Sequence, residues 1–143
     1  MALPNVSPNN ANALNGWICD VINHIKDEFD EDYDCHLVQT ISVSLLARCL
    51  TLHTIPIDQL QRYAAACIAI AVKWEVDYSL VGLIRELAYL TADSYSPSEL
   101  AETERSVLSS TNWSIISGHI TKCHDATTVQ PVSPMLEMQP ESI

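Results

Sequence analysis

Residues 63–72 read Tyr-Ala-Ala-Ala-Cys-Ile-Ala-Ile-Ala-Val, and this run limits the possible folds more than any other part of the chain. As a helix it is apolar on every face, so it has to be surrounded by other elements. At ten residues it is about half of what a membrane span requires. A chain of 143 residues supplies enough material for one enclosing domain with a real core, and too little for two.

The surrounding elements are visible as apolar positions at three- and four-residue steps. Trp17, Ile18, Val21, Ile22, Ile25 and Phe29 mark one face of a first helix over 13–29. Asp27, Glu28, Asp30, Glu31, Asp32 and Asp34 then break the pattern, and so many like charges imply a solvated connection. Leu37, Val38, Ile41, Leu45, Leu46, Cys49 and Leu50 give a second helix over 37–52.

Pro56 separates the second helix from a third over 58–74, for which Asp58 and Gln61 stand at capping-box spacing. A fourth helix follows over 80–90, with Asp77 or Ser79 as its cap. Ser96, Pro97 and Glu99 place an N-cap, a first-turn proline and a capping acid in register, so a fifth helix starts at Pro97 and runs to 112. The expectation is an all-α fold of five helices over 13–116, with flexible segments at 1–12 and 117–143.

Charge and cysteine usage narrow the function. Eighteen acidic residues against seven Lys and Arg give a formal charge of −11, which repels phosphate backbones and anionic lipid. No direct nucleic-acid contact and no membrane span are expected. Five cysteines, none in a C-x-x-C pair, read as reduced residues of an intracellular protein, in nucleus or cytoplasm. The N-terminus shows no secretory signal.

Chemistry-bearing motifs are sparse. His119, Cys123 and His124 do not have the spacing of a metal site, and three glycines make no phosphate loop. No enzyme activity, cofactor or metal is expected. Ser133-Pro134, like Ser7-Pro8, has the dipeptide form that proline-directed kinases modify. The tail around Val129, Val132, Met135, Leu136 and Met138 mixes apolar residues with Glu137, as acidic-hydrophobic activation segments do.

Ala65-Ala66-Cys67-Ile68-Ala69-Ile70-Ala71-Val72-Lys73-Trp74-Glu75 resembles the cyclin signature, in which a small-residue helix ends in Lys, an aromatic residue and Glu. Glu86 to Ser96 resembles the family's fourth helix and the link that follows it. Glu104-Arg105-Ser106-Val107-Leu108 resembles the fifth helix, Leu45 to Leu50 the end of the second, and Leu14-Asn15-Gly16-Trp17-Ile18 falls where the first helix carries a substrate-docking patch. The resemblance implies a single five-helix cyclin box.

It further implies a partner, a cyclin-dependent protein kinase, bound through Lys73, Glu75 and Glu104. In cyclins the matching Lys and Glu hold the kinase αC helix and activation segment in the active arrangement. A lysine on an apolar helix is costly to bury unpaired, so Lys73 should have an acidic partner, for which Glu104 is the natural choice. Leu14, Trp17, Val21 and Gln61 correspond to the docking patch, although an apolar stripe at helical spacing is ordinarily core, which is the preferred reading of Trp17 and Val21.

This chain departs from the family where Asn15 and Ala47 replace an interior Arg–Asp pair, and where Val76 and Arg62 replace an acid and a leucine. Loss of both partners of a buried ion pair can be nearly neutral. The alternative function is a box that binds transcription or other regulatory factors without activating a kinase.

Overall fold

The Ser7 hydroxyl accepts a hydrogen bond from the Asn10 amide at 3.3 Å, and Pro8 takes the first helical position, where an amide would have no partner anyway. Helix α1 (Pro8–Glu28) therefore starts five residues before the expected position 13. Ser7-Pro8 is a helix start of the same kind as Ser96-Pro97. Residues 8–12, expected to be flexible, are helical, and Leu3 and Ala11 are buried in the core. The computed structural model describes residues 3–76 and 80–111, and the C-terminal tail lies outside them.

α1 closes with both hydrogen bonds of a Schellman motif, Asp30 N–H to Asp27 C=O at 3.3 Å and Glu31 N–H to Lys26 C=O at 2.9 Å. Asp30 occupies the left-handed position at φ 52°. Asp34 then caps α2 (Cys35–Leu52), its carboxylate accepting from the His36 and Leu37 amides. The acidic run is thus more than a solvated connection, since its members end one helix and begin the next. Tyr33 in its midst is buried, and its hydroxyl donates to the Ile22 carbonyl at 2.7 Å, fastening the turn to α1.

A 3-10 turn (Ile57–Gln59) leads into α3 (Leu60–Val76). The Asp58–Gln61 capping box does not form; no side chain caps this turn. Instead the Asp58 carbonyl accepts from the Tyr95 hydroxyl at 2.7 Å, which ties the start of α3 to the link before α5. Residues 64–72 of α3 are all buried. Among the described residues α3 is the helix that packs on all four others.

α4 (Leu83–Leu90) is shorter than the expected 80–90, because Leu80 to Gly82 form a turn. Gly82 stands at the N-cap with φ 87°, a conformation that side chains resist. The expected caps, Asp77 and Ser79, lie outside the described residues. α4 ends in a second Schellman motif with Ala92 and Asp93 both left-handed, at φ 55° and 57°. α5 (Pro97–Ser110) has the full capping box: Ser96 accepts from the Glu99 amide and Glu99 accepts from the Ser96 amide.

The result is the expected all-α arrangement, with α3 enclosed by the other four helices. α2 is long and apolar enough to cross a membrane by length and composition. Eight of its 18 residues are buried inside the bundle, which is how the core helix of a folded domain is covered. Cys19, Cys35, Cys49 and Cys67 carry no disulfide. Cys49 and Cys67 meet between α2 and α3, and the hydrogen bond with Cys49, reinforced by burial, keeps the Cys67 thiol protonated well beyond its usual range.

Two predictions follow from the turns. Burial keeps the Tyr33 hydroxyl protonated well above its usual range, with the nearby Cys35, Glu31 and Asp27 acting the same way. Above about pH 10 the unfolded chain therefore releases this proton while the native chain retains it, so stability falls as pH rises. Tyr33→Phe should lose about 1 kcal/mol at neutral pH and show a shallower alkaline decline, read by urea unfolding at several pH values. Ala92→Gly should raise the unfolding midpoint, because relief of the left-handed strain, about 1–2 kcal/mol, exceeds the added chain entropy.

Candidate functional site

α5 is anchored on α3 by Leu100, Thr103 and Val107, one buried residue per turn. Two polar contacts supplement this stripe. Arg62 Nε donates to Thr103 Oγ1 at 2.6 Å, and Lys73 Nζ donates to Glu104 Oε2 at 2.6 Å. Arg62 and Lys73 stand eleven residues apart on α3, about 16 Å of helix rise, yet they hold adjacent residues of α5. Two long side chains converge on one crossing point from opposite ends of α3.

The Lys73–Glu104 pair is asymmetric. The Glu104 side chain keeps only 12% of its surface, whereas Lys73 keeps 37%. A carboxylate so far removed from water depends on its cation, while the ammonium has given Glu104 one of its three hydrogens and still faces solvent. The site therefore presents a positive donor to the outside, backed by a nearly enclosed acid. This is the pairing that the apolar setting of Lys73 predicts.

Glu75 sits in the last turn of α3, half-buried. Two residues along a helix amount to about 200° of rotation, so Glu75 leaves α3 on a different side from Lys73. Beside Lys73 opens a cleft of about 320 Å³ lined by Leu80, Val81, Leu83, Arg85 and Pro97. Val81 on its rim is 93% exposed. Its exposure was not legible in the sequence, where a valine before a glycine carries no signal.

The residues matched to the docking patch separate. Val21 is buried in the core, which removes it from any surface that could meet a peptide. The reason is its place on the same face of α1 as Ile18, Ile22 and Ile25, all enclosed. Leu14 and Trp17 are partly buried and pack against the core, and Gln61 is half-buried on α3. Asn15 and Ala47, which replace the family's interior pair, are both half-buried. Ser133, His119, Cys123 and His124 lie outside the described residues. A contact that sequence reasoning missed joins α1 to α4, where His24 Nε2 lies 2.7 Å from Glu86 Oε2.

Compared with known families, residues 3–116 match the model of the cyclin N-terminal domain. The chain belongs to the cyclin family. The match spans every helix described above. Cyclins are regulatory proteins that act through protein partners, so a regulatory role follows for this chain. No curated protein and no solved structure matches it.

The asymmetry of the pair can be measured. In a double-mutant cycle with Lys73→Met and Glu104→Leu, the coupling energy should reach about 1 kcal/mol or more, above the few tenths typical of exposed pairs. Lys73→Met alone should cost more stability than Glu104→Leu alone, because it strands the enclosed carboxylate. Thermal or urea unfolding of the four proteins reads both quantities.

Proposed function

We propose that this cyclin binds a cyclin-dependent protein kinase through the face that carries Lys73 and Glu104, with Glu75 on the other side of the same helix end, and positions the kinase αC helix and activation segment. The single observation that carries this reading is the 2.6 Å contact between Lys73 and Glu104, in the two helices where the family resemblance expects it. An ammonium held at fixed height by a nearly enclosed acid can donate to backbone carbonyls of a partner without first being ordered, which lowers the entropic cost of docking. The cleft beside it and the exposed Val81 supply apolar surface next to that donor.

The mechanism is a population shift. In kinases of this class the αC glutamate must meet the strand lysine that holds the ATP phosphates. A rigid helical wall that fits only the swung-in αC helix stabilises that state, by no more than its difference in affinity for the two states. The protein contributes shape and charge, and the kinase performs the chemistry. Such work places the chain inside the cell, in nucleus or cytoplasm, with reduced cysteines.

The test mixes purified protein with a panel of cyclin-dependent kinases and measures affinity and histone phosphorylation for wild type, Lys73→Glu, Glu104→Lys and the double reversal, with circular dichroism as a check on folding. Each single reversal should weaken binding at least about tenfold, or about 1.4 kcal/mol. The double reversal should recover stability but not kinase affinity. If wild type neither binds nor activates any kinase, the alternative of a box that binds transcription or other regulatory factors takes its place. Binding that ignores the reversals would put the kinase face elsewhere.

A further inference from the structure

The contact between α1 and α4 has a third member. Donor atoms of His24, Glu28 and Glu86 all lie within 4.8 Å of one another. His24 and Glu28 are four residues apart on α1, and therefore neighbours one turn apart on the same face. Glu86 comes from the first turn of α4. His24 and Glu86 are partly withdrawn from water, with 41% and 23% of their side chains exposed, and Glu28 lies open to solvent.

We propose that His24, Glu28 and Glu86 form a Zn²⁺ site that bridges α1 and α4. The chemistry of the donors selects the ion. One imidazole nitrogen with two carboxylates suits a borderline divalent metal, whereas Ca²⁺ and Mg²⁺ take oxygen alone and Cu⁺ takes sulfur. Ligands of a tetrahedral Zn²⁺ stand about 3.3 Å apart, given bonds of about 2.0–2.2 Å. Donors within 4.8 Å reach that spacing by side-chain rotation, without movement of either helix.

Two features favour occupancy. His24 Nε2 already points at Glu86 Oε2 across the helix boundary at 2.7 Å, so two of the three ligands are oriented toward one point; the ion takes the place of the hydrogen bond between them, and the neutral imidazole that binds it carries its proton on Nδ1. The chain's formal charge of −11 attracts a divalent cation to a surface where two acids stand together. Three protein ligands leave a fourth position for water or for a ligand from a partner. A bound ion would brace α4, the shortest of the five described α-helices, against the first.

The experiment is titration of the full chain with Zn²⁺ by calorimetry, with thermal unfolding in parallel. Expected is one saturable site, a higher unfolding midpoint with the metal, and a loss of affinity of at least about tenfold in His24→Ala and in Glu86→Gln. Glu28→Gln, at an exposed position that the fold does not need, should weaken binding severalfold. His36→Ala and His53→Ala, and the triple change His119→Ala, Cys123→Ser, His124→Ala, should leave this site intact. Absence of saturable binding below about 1 mM overturns the proposal. So does binding that survives the first three variants or disappears in the controls, since the ion would then sit elsewhere.

Discussion

The enclosure of α3 is the constraint on which everything else in this molecule depends. Nine consecutive buried residues, from Ala64 to Val72, leave the helix no solvent face along its middle. Its alanines offer little side-chain area of their own, so its stability derives from what its neighbours bury against it. Each of the four other helices supplies one wall. Removing any wall exposes backbone and apolar surface on the same central rod, which makes the domain one cooperative unit. Lys73 marks the place where enclosure ends and the helix emerges, and the face proposed to meet a kinase begins at that boundary.

Polar contacts in the bundle act as locators more than as sources of stability. Arg62 with Thr103 and Lys73 with Glu104 fix where α5 crosses α3; Tyr95 with the Asp58 carbonyl fixes the preceding link; Tyr33 with the Ile22 carbonyl fixes the first turn. Apolar packing alone tolerates small slides of one helix along another. Hydrogen bonds with a definite length do not. A face that must match a partner benefits from this, since a shift of about 1 Å is enough to misplace interacting groups.

Much of the fold was legible in the sequence because helical periodicity and caps are local. The all-α class, all five helices and the start of α5 at Pro97 follow from spacing and from Ser96 and Glu99. Errors arose where a local signal had two meanings. Residues 8–12 look like part of a flexible polar terminus and are the start of α1; Asp34 looks like one more solvated charge and is an N-cap; Asp58 looks like a cap and instead offers its carbonyl to Tyr95. The Lys73–Glu104 contact was foreseeable because an isolated cation on an apolar helix requires an acid. Val21 as core was one of two readings of the same stripe, and only packing distinguishes them. The His24–Glu86 contact was not foreseeable, since 62 residues separate its members and nothing local demands either.

The acidic turn between α1 and α2 has a consequence for encounter. Its carboxylates ride on a segment fixed at both ends, by the Schellman closure and the Asp34 cap, and fastened in the middle by Tyr33. The negative lobe of the molecular field therefore has a constant direction relative to the bundle, unlike the field of charges on a loose tail. At physiological ionic strength that field extends about 8 Å, so it acts on molecules already close by. It functions as a compass more than as a magnet: basic surfaces that drift near are turned toward one end of the bundle, and the approaches they can make to the rest of it are restricted accordingly.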